Sequence, residues 1–403
     1  MVRPLLSTAL MGAAASGCNT TLDCNMAGDC VAGRCACDVG FYGLACEALA
    51  MQSYKCRAGG LCLTNGTTTW GGSVVTADDG SHHMYAAMMT GNATLQKWLT
   101  NSVVLHAVAP AGSPQGPYEP AGVALAPRAP PAFDSLMLHN PDAKRAPDGT
   151  YLIFYDGDSA AGGGSGTDPH LNQRIGLATA TSPYGPWTRS LAPVLSPSAV
   201  AGAWDGGFVT NPGPYIYPNG SALLVYKAKA KAKGKATGAG AGAGAGEGEG
   251  EGAAAGNTMK QGVAYADHWS GPYRRLTPDA PLALPGDCED PGIYRDPKRG
   301  GIFRMVLHCG CAYQLMWSAD GVRWIKHGAE QKRGWCSGFN YTDGSAGELK
   351  TRQRPKWVTD ASGAATHLTT GVNRPGDKGM GHTWTMANVL LNMTATATTG
   401  DGL

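Results

Sequence analysis

A β-hairpin pattern recurs along this chain and constrains its fold more than any single motif does. In each copy a polar residue and a proline lead into a short apolar strand, a glycine-bearing turn follows, and a second apolar strand runs back. These copies begin at His139, Thr210, Glu289 and Arg354, and a fifth copy without the proline begins at Trp70. One such hairpin cannot bury both of its faces, so neighbouring units must stack, and a closed ring leaves only short protected edges. The repeat therefore predicts an all-β protein built on a five-bladed β-propeller.

A second repeat follows the hairpins and supports the ring. Each of the first four units continues into a further strand and a Gly-Pro or Gly-Val turn, after which comes Tyr118, Trp187, Tyr273 or Trp324. Aromatic side chains at such equivalent places are expected to pack as apolar wedges between blades. The composition agrees, because 59 glycines and 26 prolines among 403 residues suit many short strands joined by turns.

Half of the twelve cysteines cluster near the N-terminus, at Cys18, Cys24, Cys30, Cys35, Cys37 and Cys46. A stretch of about thirty residues has too little core to fold unless disulfides restrict the unfolded chain. Six cysteines allow fifteen pairings, and the spacing alone does not choose among them. A zinc site is disfavoured, because the stretch has no histidine and no paired CxxC knuckles.

The run from Cys35 to Cys46 closely resembles an epidermal-growth-factor-like (EGF-like) module. The resemblance implies that the first cysteine pairs with the third, the second with the fourth, and the fifth with the sixth. Calcium-binding members of that family carry acidic residues ahead of the first cysteine, whereas this chain has Ala-Ala-Ala-Ser-Gly there. No metal and no other cofactor are therefore expected. Disulfides that brace the propeller rim are expected of the later cysteines, among them Cys288, Cys309, Cys311 and Cys336.

Composition also predicts the domain boundaries. Residues 1–16 have the character of a secretory signal peptide, 17–48 form the EGF-like module, 49–65 a connector, and 66–395 the propeller. Within the propeller, 228–256 is a low-complexity insertion of lysine, glycine-alanine and glutamate blocks and is expected to be disordered. The connector could supply the strand that completes the last blade.

The disulfides favour a secreted, extracellular protein, and so do Asn-X-Ser/Thr sequons at Asn19, Asn65, Asn92, Asn219, Asn340 and Asn392. No stretch other than the leader approaches a membrane span in length and apolarity. The formal net charge is +2, which gives no electrostatic reason to expect nucleic acid. A neutral oligosaccharide or polysaccharide is the expected partner, and the EGF-like module could bind an extracellular protein.

The innermost strand of each blade lines the central channel, so the residues before each proline should converge at one mouth. In order these are Gly72 or Ser73, Asn140, Asn211, Asp290 with Glu289 beside it, and Arg354. A convergent polar ring at the end of a channel is the default binding site of a propeller.

These strand starts, with the GPW and GPY turns, resemble the five-bladed propeller of glycoside hydrolase family 43 and its relatives in families 32, 62 and 68. The resemblance covers roughly residues 66 to 395 and implies glycosidic cleavage by a base, a tuning carboxylate and a glutamic acid from different blades. Glu289 matches the acid. The tuning position is Asn211 instead of aspartate, and the first blade has Trp70-Gly-Gly-Ser73 where the family has its base.

The candidate catalytic residues are Glu289 as proton donor, Asp290, and Asp205, which precedes an Asn-Pro by six residues as Asp134 does. Turn chemistry explains Asp78 and Asp79. The candidate substrate-binding residues are Asn140, Asn211, Arg354, Trp70 and His308. Arg354 could clamp a carboxylated sugar or pair with Glu289 or Asp290. Hydrolysis is the leading interpretation, and the alternatives are a catalytically silent carbohydrate-binding or interaction protein and a protein-docking platform.

Overall fold

The computed structural model describes residues 17–63, 66–159, 172–231, 259–284, 288–377 and 379–393. The expected signal peptide, 1–16, and residues 232–256 of the expected insertion lie outside the described residues. The N-terminal module holds the short strands β1 (Gly28–Val31), β2 (Arg34–Cys37), β3 (Phe41–Tyr42) and β4 (Ala48–Leu49), and β5 (Met51–Ser53) follows directly. Its disulfides are Cys18–Cys30, Cys24–Cys35 and Cys37–Cys46, the pairing that the EGF-like resemblance implies.

Five four-stranded antiparallel sheets form the blades. Blade 1 contains β6 (Thr69–Thr76), β7 (His82–Met89), β8 (Ser102–Ala109) and β9 (Glu119–Leu125), and blade 2 contains β10 (Met137–Arg145), β11 (Tyr151–Asp158), β12 (Arg174–Ala180) and β13 (Thr188–Arg189). Blade 3 contains β14 (Phe208–Ile216), β15 (Ala222–Lys229), β16 (Lys260–Ala266) and β17 (Arg274–Arg275), and blade 4 contains β18 (Glu289–Asp296), β19 (Ile302–His308), β20 (Tyr313–Ser318) and β21 (Ile325–Lys326). After the hairpin β22 (Ser337–Asn340) and β23 (Ala346–Glu348), blade 5 contains β24 (Thr351–Thr359), β25 (Ala365–Asn373) and β26 (Thr383–Leu390). The one described α-helix is α1 (Trp98–Asn101), which follows a 3-10 turn at Leu95–Lys97; a second 3-10 turn spans Pro297–Arg299.

The blades close into a ring through their first strands. β6, β10, β14, β18 and β24 each pack against the next, and β24 packs against β6. The connector strand β5 pairs with β26 as the outer strand of blade 5, as expected. The all-β five-bladed propeller predicted from the repeats is confirmed.

Every blade has a bulge at the same place on its first strand. Pairing with the second strand is interrupted between Trp70 and Ser73, between His139 and Asp142, and at the matching points of the other blades. The first bulged residue has a positive φ in all five blades: Gly71 (60°), Asn140 (50°), Asn211 (52°), Asp290 (63°) and Arg354 (57°). Glycine and, less readily, asparagine and aspartate tolerate this left-handed conformation, which explains most of these residue types. The blade 1 equivalent is Gly71, and the prediction of Gly72 or Ser73 was wrong by one or two residues.

The four aromatic residues after the turns pack into apolar clusters, as predicted. Trp187 of blade 2 meets Tyr85 of blade 1 edge-on at 5.4 Å, and Tyr273 of blade 3 meets Phe154 of blade 2 at 6.3 Å. These contacts wedge neighbouring blades together.

The N-terminal module packs against blades 4 and 5 and shares their core. Phe41 and Leu49 lie in one apolar cluster with Tyr294 and Trp357. Arg299 contacts both Asp29 and Asp38 of the module at 2.5 Å. The module is therefore fixed to the side of the propeller by an apolar contact and a group of ion pairs.

The remaining cysteines form the disulfides Cys56–Cys62, Cys288–Cys309 and Cys311–Cys336. Six disulfides are typical of proteins from an oxidising compartment. Among the helices in the described ranges, none has the length and apolarity that crossing a bilayer requires.

Candidate functional site

A cavity of about 180 Å³ opens where the five first strands meet. This volume is below the roughly 300–1,000 Å³ of sites for drug-sized ligands, so the cavity suits a small ligand or one end of a larger one. The residues on its walls are Trp70, Leu95, Trp98, His139, Asn140, Gln173, Phe208, Thr210, Asn211, Lys227, Lys229, Met259, Glu289, Asp290, Gln353, Arg354 and Met380.

Two rings of side chains from the first strands form most of this surface. The bulge ring consists of the positive-φ residues, of which Asn140, Asn211, Asp290 and Arg354 line the cavity. The pre-bulge ring precedes it by one residue and comprises Trp70, His139, Thr210, Glu289 and Gln353. Glu289 and Asp290 therefore belong to different rings although they are adjacent in sequence.

Hydrogen bonds join the bulge ring across four blades. Asn140 Nδ2 donates to Asn211 Oδ1 at 2.7 Å, and Asn211 Nδ2 donates to Asp290 Oδ1. Arg354 donates to the same Asp290 oxygen at 2.5 Å. Four predicted site residues are thus brought together, and Asp290 is the end point of the hydrogen bonds.

Asp290 is the buried anion of this network. His308 Nδ1 lies 2.8 Å from Asp290 Oδ2. Burial opposes ionisation of Asp290, but Arg354 and His308 outweigh it and hold the pKa of the carboxyl well below its usual range. For His308, burial would lower the pKa, but Asp290 and Glu289 raise it above the ordinary value. The two groups therefore stabilise each other's charged forms.

A third set of residues lies on the second strands, opposite the pre-bulge ring. Asp156 pairs with His139, Lys227 with Thr210, and His308 with Glu289. Among these, Asp156 accepts hydrogen bonds from Asn140 at 2.9 Å and from Thr210 at 2.5 Å. Burial raises the pKa of Asp156 to about 6, although Arg354 opposes the shift.

Glu289 is the carboxylate most accessible from the cavity. Its side chain is 27% exposed, forms an ion pair with Lys227, and lies 3.6 Å from His308 Nε2. Of the described residues on the cavity walls, the carboxylates are Glu289 and Asp290 alone, and both come from β18.

The walls of the cavity differ in character. Trp70, Leu95, Trp98 and Met380 provide an apolar, aromatic side, whereas β15 of blade 3 contributes Lys227 and Lys229. Trp98 packs on the His139 ring with centroids 5.1 Å apart, and Ser102 Oγ lies 2.7 Å from His139 Nδ1. Burial, reinforced by Arg354, holds the pKa of His139 well below its usual range, so its imidazole is neutral.

A buried ion pair crosses the channel next to the bulge ring. Lys356 of blade 5 lies 2.7 Å from Asp142 of blade 2, and its ammonium donates to the carbonyl oxygens of Pro212 at 2.8 Å and Pro291 at 3.0 Å. Burial lowers the pKa of Lys356 to about 8, against the opposing effect of Asp142. This ammonium therefore joins strands of four blades.

Asp205, one of the catalytic candidates from the sequence, is not among the described residues that line the cavity. Its carboxylate is buried, accepts from Tyr226 Oη at 2.9 Å, and pairs with Arg275 at 2.5 Å. Asp134 makes the equivalent contacts one blade earlier, with Tyr155 and Arg189. Both residues join the segment ahead of a blade to the outer strand of that blade.

The sequence analysis did not select Lys227, which lines the cavity, or Asp156, which hydrogen-bonds to the cavity residues Asn140 and Thr210. Both residues come near the ends of second strands, next to the apolar residues that defined the repeat. A polar residue recurs near the end of the second strand in three consecutive units, as Asp156, Lys227 and His308. This recurrence is the sequence pattern that could have identified them. In contrast, nothing in the repeat pointed to Trp98 or Met380, which lie on connecting segments.

Two groups of described side chains are close enough together to hold a metal. They are Cys18, Cys24 and Cys35, and Cys288 and Cys309 with Glu330. All these cysteines are in disulfides, so their sulfurs are not the thiolates that a metal requires.

Comparison with known proteins shows the fold. No protein-family model and no curated protein sequence match the chain. Among solved structures, Zg3597, a family 117 glycoside hydrolase from the marine bacterium Zobellia galactanivorans, matches with a TM-score of 0.60 and 16% identity over 91% of this chain and 96% of that one. Fructan 1-exohydrolase IIa from Cichorium intybus matches with a TM-score of 0.52 and 13% identity over 83% and 56%. A protein of unknown function from Dyadobacter fermentans matches with a TM-score of 0.50 and 14% identity over 85% and 98%. The chain therefore has a five-bladed propeller fold that glycoside hydrolases also adopt.

Proposed function

We propose that the cavity binds the terminal sugar of an extracellular glycan and that the chain is a carbohydrate-binding protein. The observation that carries this proposal is the distribution of carboxylates. On the described walls they come from one strand, and each is held in an ion pair, Glu289 with Lys227 and Asp290 with Arg354. Amides, a glycine and an arginine occupy the bulge ring in the other four blades.

The remaining wall groups suit a sugar. A sugar ring presents hydroxyls around its edge and C–H groups on its faces. Gln173 and Gln353 offer amides that can donate to and accept from hydroxyls. Trp70 and Trp98 offer apolar ring surface. The names of two structural neighbours, a glycoside hydrolase and a fructan exohydrolase, support this ligand class.

The size of the cavity favours a chain end. Its volume is about 180 Å³, and the Lys356 ammonium bonds to carbonyls of two other blades next to the bulge ring. A cavity of this volume holds about one sugar ring, so we infer that a glycan would enter with its terminal residue first.

Binding without cleavage is favoured because glycoside hydrolysis needs two separated carboxyl groups, roughly 5–10 Å apart on either side of the scissile bond. Asp290 is adjacent to Glu289 on β18, is 2% exposed, and is bound by Arg354, His308 and Asn211. It is therefore poorly placed to activate water or to attack a sugar carbon.

Hydrolysis with Glu289 as the proton donor is the second candidate. The partial exposure of its carboxylate toward the cavity favours it. In that case Glu289→Gln would lower turnover of substrates with poor leaving groups by about a hundredfold or more.

Calorimetric titration with oligosaccharides, combined with product analysis, tests both candidates. Binding that is weakened by Trp70→Ala and by Trp98→Ala, with no product above that of Glu289→Gln, supports a binding protein. Glu348→Gln, an exposed glutamate on β23, is the matched control. Turnover by the native chain that Glu289→Gln abolishes would establish the hydrolase instead, and absence of sugar binding would refute both candidates.

A further inference from the structure

The cavity has an unbalanced positive charge. Its walls contain three permanent cations, Lys227, Lys229 and Arg354, and two carboxylates, Glu289 and Asp290. Lys227 pairs with Glu289, and Arg354 pairs with Asp290. Lys229 remains as the additional charge.

The backbone holds Lys229 in place. It is the last residue of β15, it pairs with Phe208 on β14, and its carbonyl accepts from Gly207 N at 2.9 Å. Its side chain is half-buried and forms no ion pair or hydrogen bond with any of the residues that the structure describes. Among the described residues this ammonium has no anionic partner, and it is therefore available to an anion on the ligand.

The apolar residues of the cavity indicate how a ligand would lie. Trp70 and Trp98 belong to one apolar cluster at the cavity, whereas Lys229 pairs with Phe208 in blade 3. A sugar whose ring packs on the tryptophans could direct an acidic substituent toward blade 3. A neutral sugar would leave the Lys229 ammonium without a counter-charge.

We propose that the cavity selects an anionic terminal sugar, whose carboxylate or sulfate group pairs with Lys229. This inference rests on the proposed function and names the ligand class of the same cavity. It replaces the expectation of a neutral glycan, which relied on the net charge of the whole chain and not on the charge of the site. Arg354, the earlier candidate for such a clamp, already pairs with Asp290.

The test is binding to an array of galactose- and glucose-based oligosaccharides, each presented in neutral, uronate and sulfated forms, followed by calorimetric titration of those retained. The native chain should bind an acidic form about 10- to 100-fold more tightly than its neutral partner, because a charge-assisted contact contributes that much. The preference should weaken as salt rises. Whether the uronate or the sulfate series responds identifies the acidic group.

Lys229→Gln should abolish the preference while leaving affinity for the neutral form within about threefold, since one polar contact to water is exchanged for another. Lys231→Gln, an exposed lysine two residues further along, is the matched control and should keep the preference. Thermal unfolding of both variants checks that the blade is intact. Equal binding of neutral and acidic forms, or a preference that survives Lys229→Gln, overturns the inference and leaves sugar binding standing. Absence of binding to any form overturns the proposed function as well.

Discussion

The exchange Asn211→Asp places a second carboxyl against a buried one. The Asn211 amide donates to Asp290 Oδ1 and accepts from Asn140 at 2.7 Å. An ionised carboxyl at position 211 would have no hydrogen to donate to Asp290, and the two negative charges would repel each other. A protonated carboxyl could still donate to Asp290, so the folded chain is expected to keep the new group protonated.

The sign of the pH dependence follows from this raised pKa. In the unfolded chain the new carboxyl ionises above about pH 4, whereas in the folded chain it keeps its proton to a higher pH. The penalty is therefore absent below about pH 4 and grows as the pH rises toward the folded pKa. A rise of two to three pKa units, ordinary for buried like-charged carboxyls, destabilises the fold by about 3–4 kcal/mol at neutral pH. With an unfolding entropy of about 2.1 cal/mol/K per residue, this lowers Tm by roughly 4–5 °C for a chain of this length.

Thermal unfolding of the native chain and the variant at pH 4, 5, 6 and 7 measures the effect. Asn211→Gly is the control, because it keeps the left-handed backbone and removes the amide without adding a charge. The difference in Tm between Asn211→Gly and the native chain should be the same at all four pH values. The described contact with Asp290 is wrong if the Tm difference between Asn211→Asp and the native chain does not change with pH. It is also wrong if this variant is as stable as the native chain at pH 7.

Three further outcomes are expected. Asp205→Asn should destabilise the fold by about 3–5 kcal/mol, because it leaves Arg275 unpaired. Sugar affinity in titrations should not change. Loss of affinity without loss of stability would show that Asp205 contributes to the site. The double exchange Asp290→Asn with Arg354→Met should lower the free energy of unfolding by less than the sum of the two single exchanges, because both charges of the pair are removed together. Additive losses would show that the two residues are not coupled. Arg299→Ala should accelerate proteolytic release of the N-terminal module under reducing conditions, and an unchanged cleavage rate would show that the ion pairs with Asp29 and Asp38 do not hold it.

The ring of blades was predictable because it depends on local patterns that repeat. A polar-proline start, an apolar strand and a glycine turn define each hairpin, and five such hairpins can bury their faces in a closed ring. For the closing strand, the sequence indicated the connector as its source but not the residues that form it. β5 has three residues, Met51–Ser53, and no strand pattern distinguishes so short a segment from the connector around it.

The bulge position in blade 1 was misplaced for a backbone reason. In the other blades a proline marks the second bulged residue, but in blade 1 Gly72 takes that place and the marker is lost. The left-handed conformation of the preceding residue was a better guide, since it favours glycine, asparagine and aspartate. Applied to blade 1, that requirement selects Gly71, whose φ is 60°. Arg354 is the exception, and its ion pair with Asp290 offsets a backbone cost of about 1–2 kcal/mol.

The contacts of the cavity could not be derived from one strand of each hairpin. Lys227 reaches Glu289 from the second strand of the preceding blade, and Asp156 reaches Thr210 in the same way. Such contacts depend on the pairing register, which the bulges shift, and on the approach of neighbouring blades. The ion pair of Asp205 could not be read from the sequence either, because its partner Arg275 is on an outer strand 70 residues away.

The asparagines of the bulge ring have a physical role in this arrangement. Neighbouring bulge-ring side chains are in direct contact, with Asn140 2.7 Å from Asn211 and Asn211 bonded to Asp290. Carboxylates at all three positions could not ionise together at such distances, whereas amides donate to the carboxylates beside them. Each asparagine therefore helps to keep one buried anion, Asp290 or Asp156, hydrogen-bonded. The same amides give the described cavity walls fixed polar groups in place of further carboxylates, which supports the proposal of sugar binding over that of cleavage.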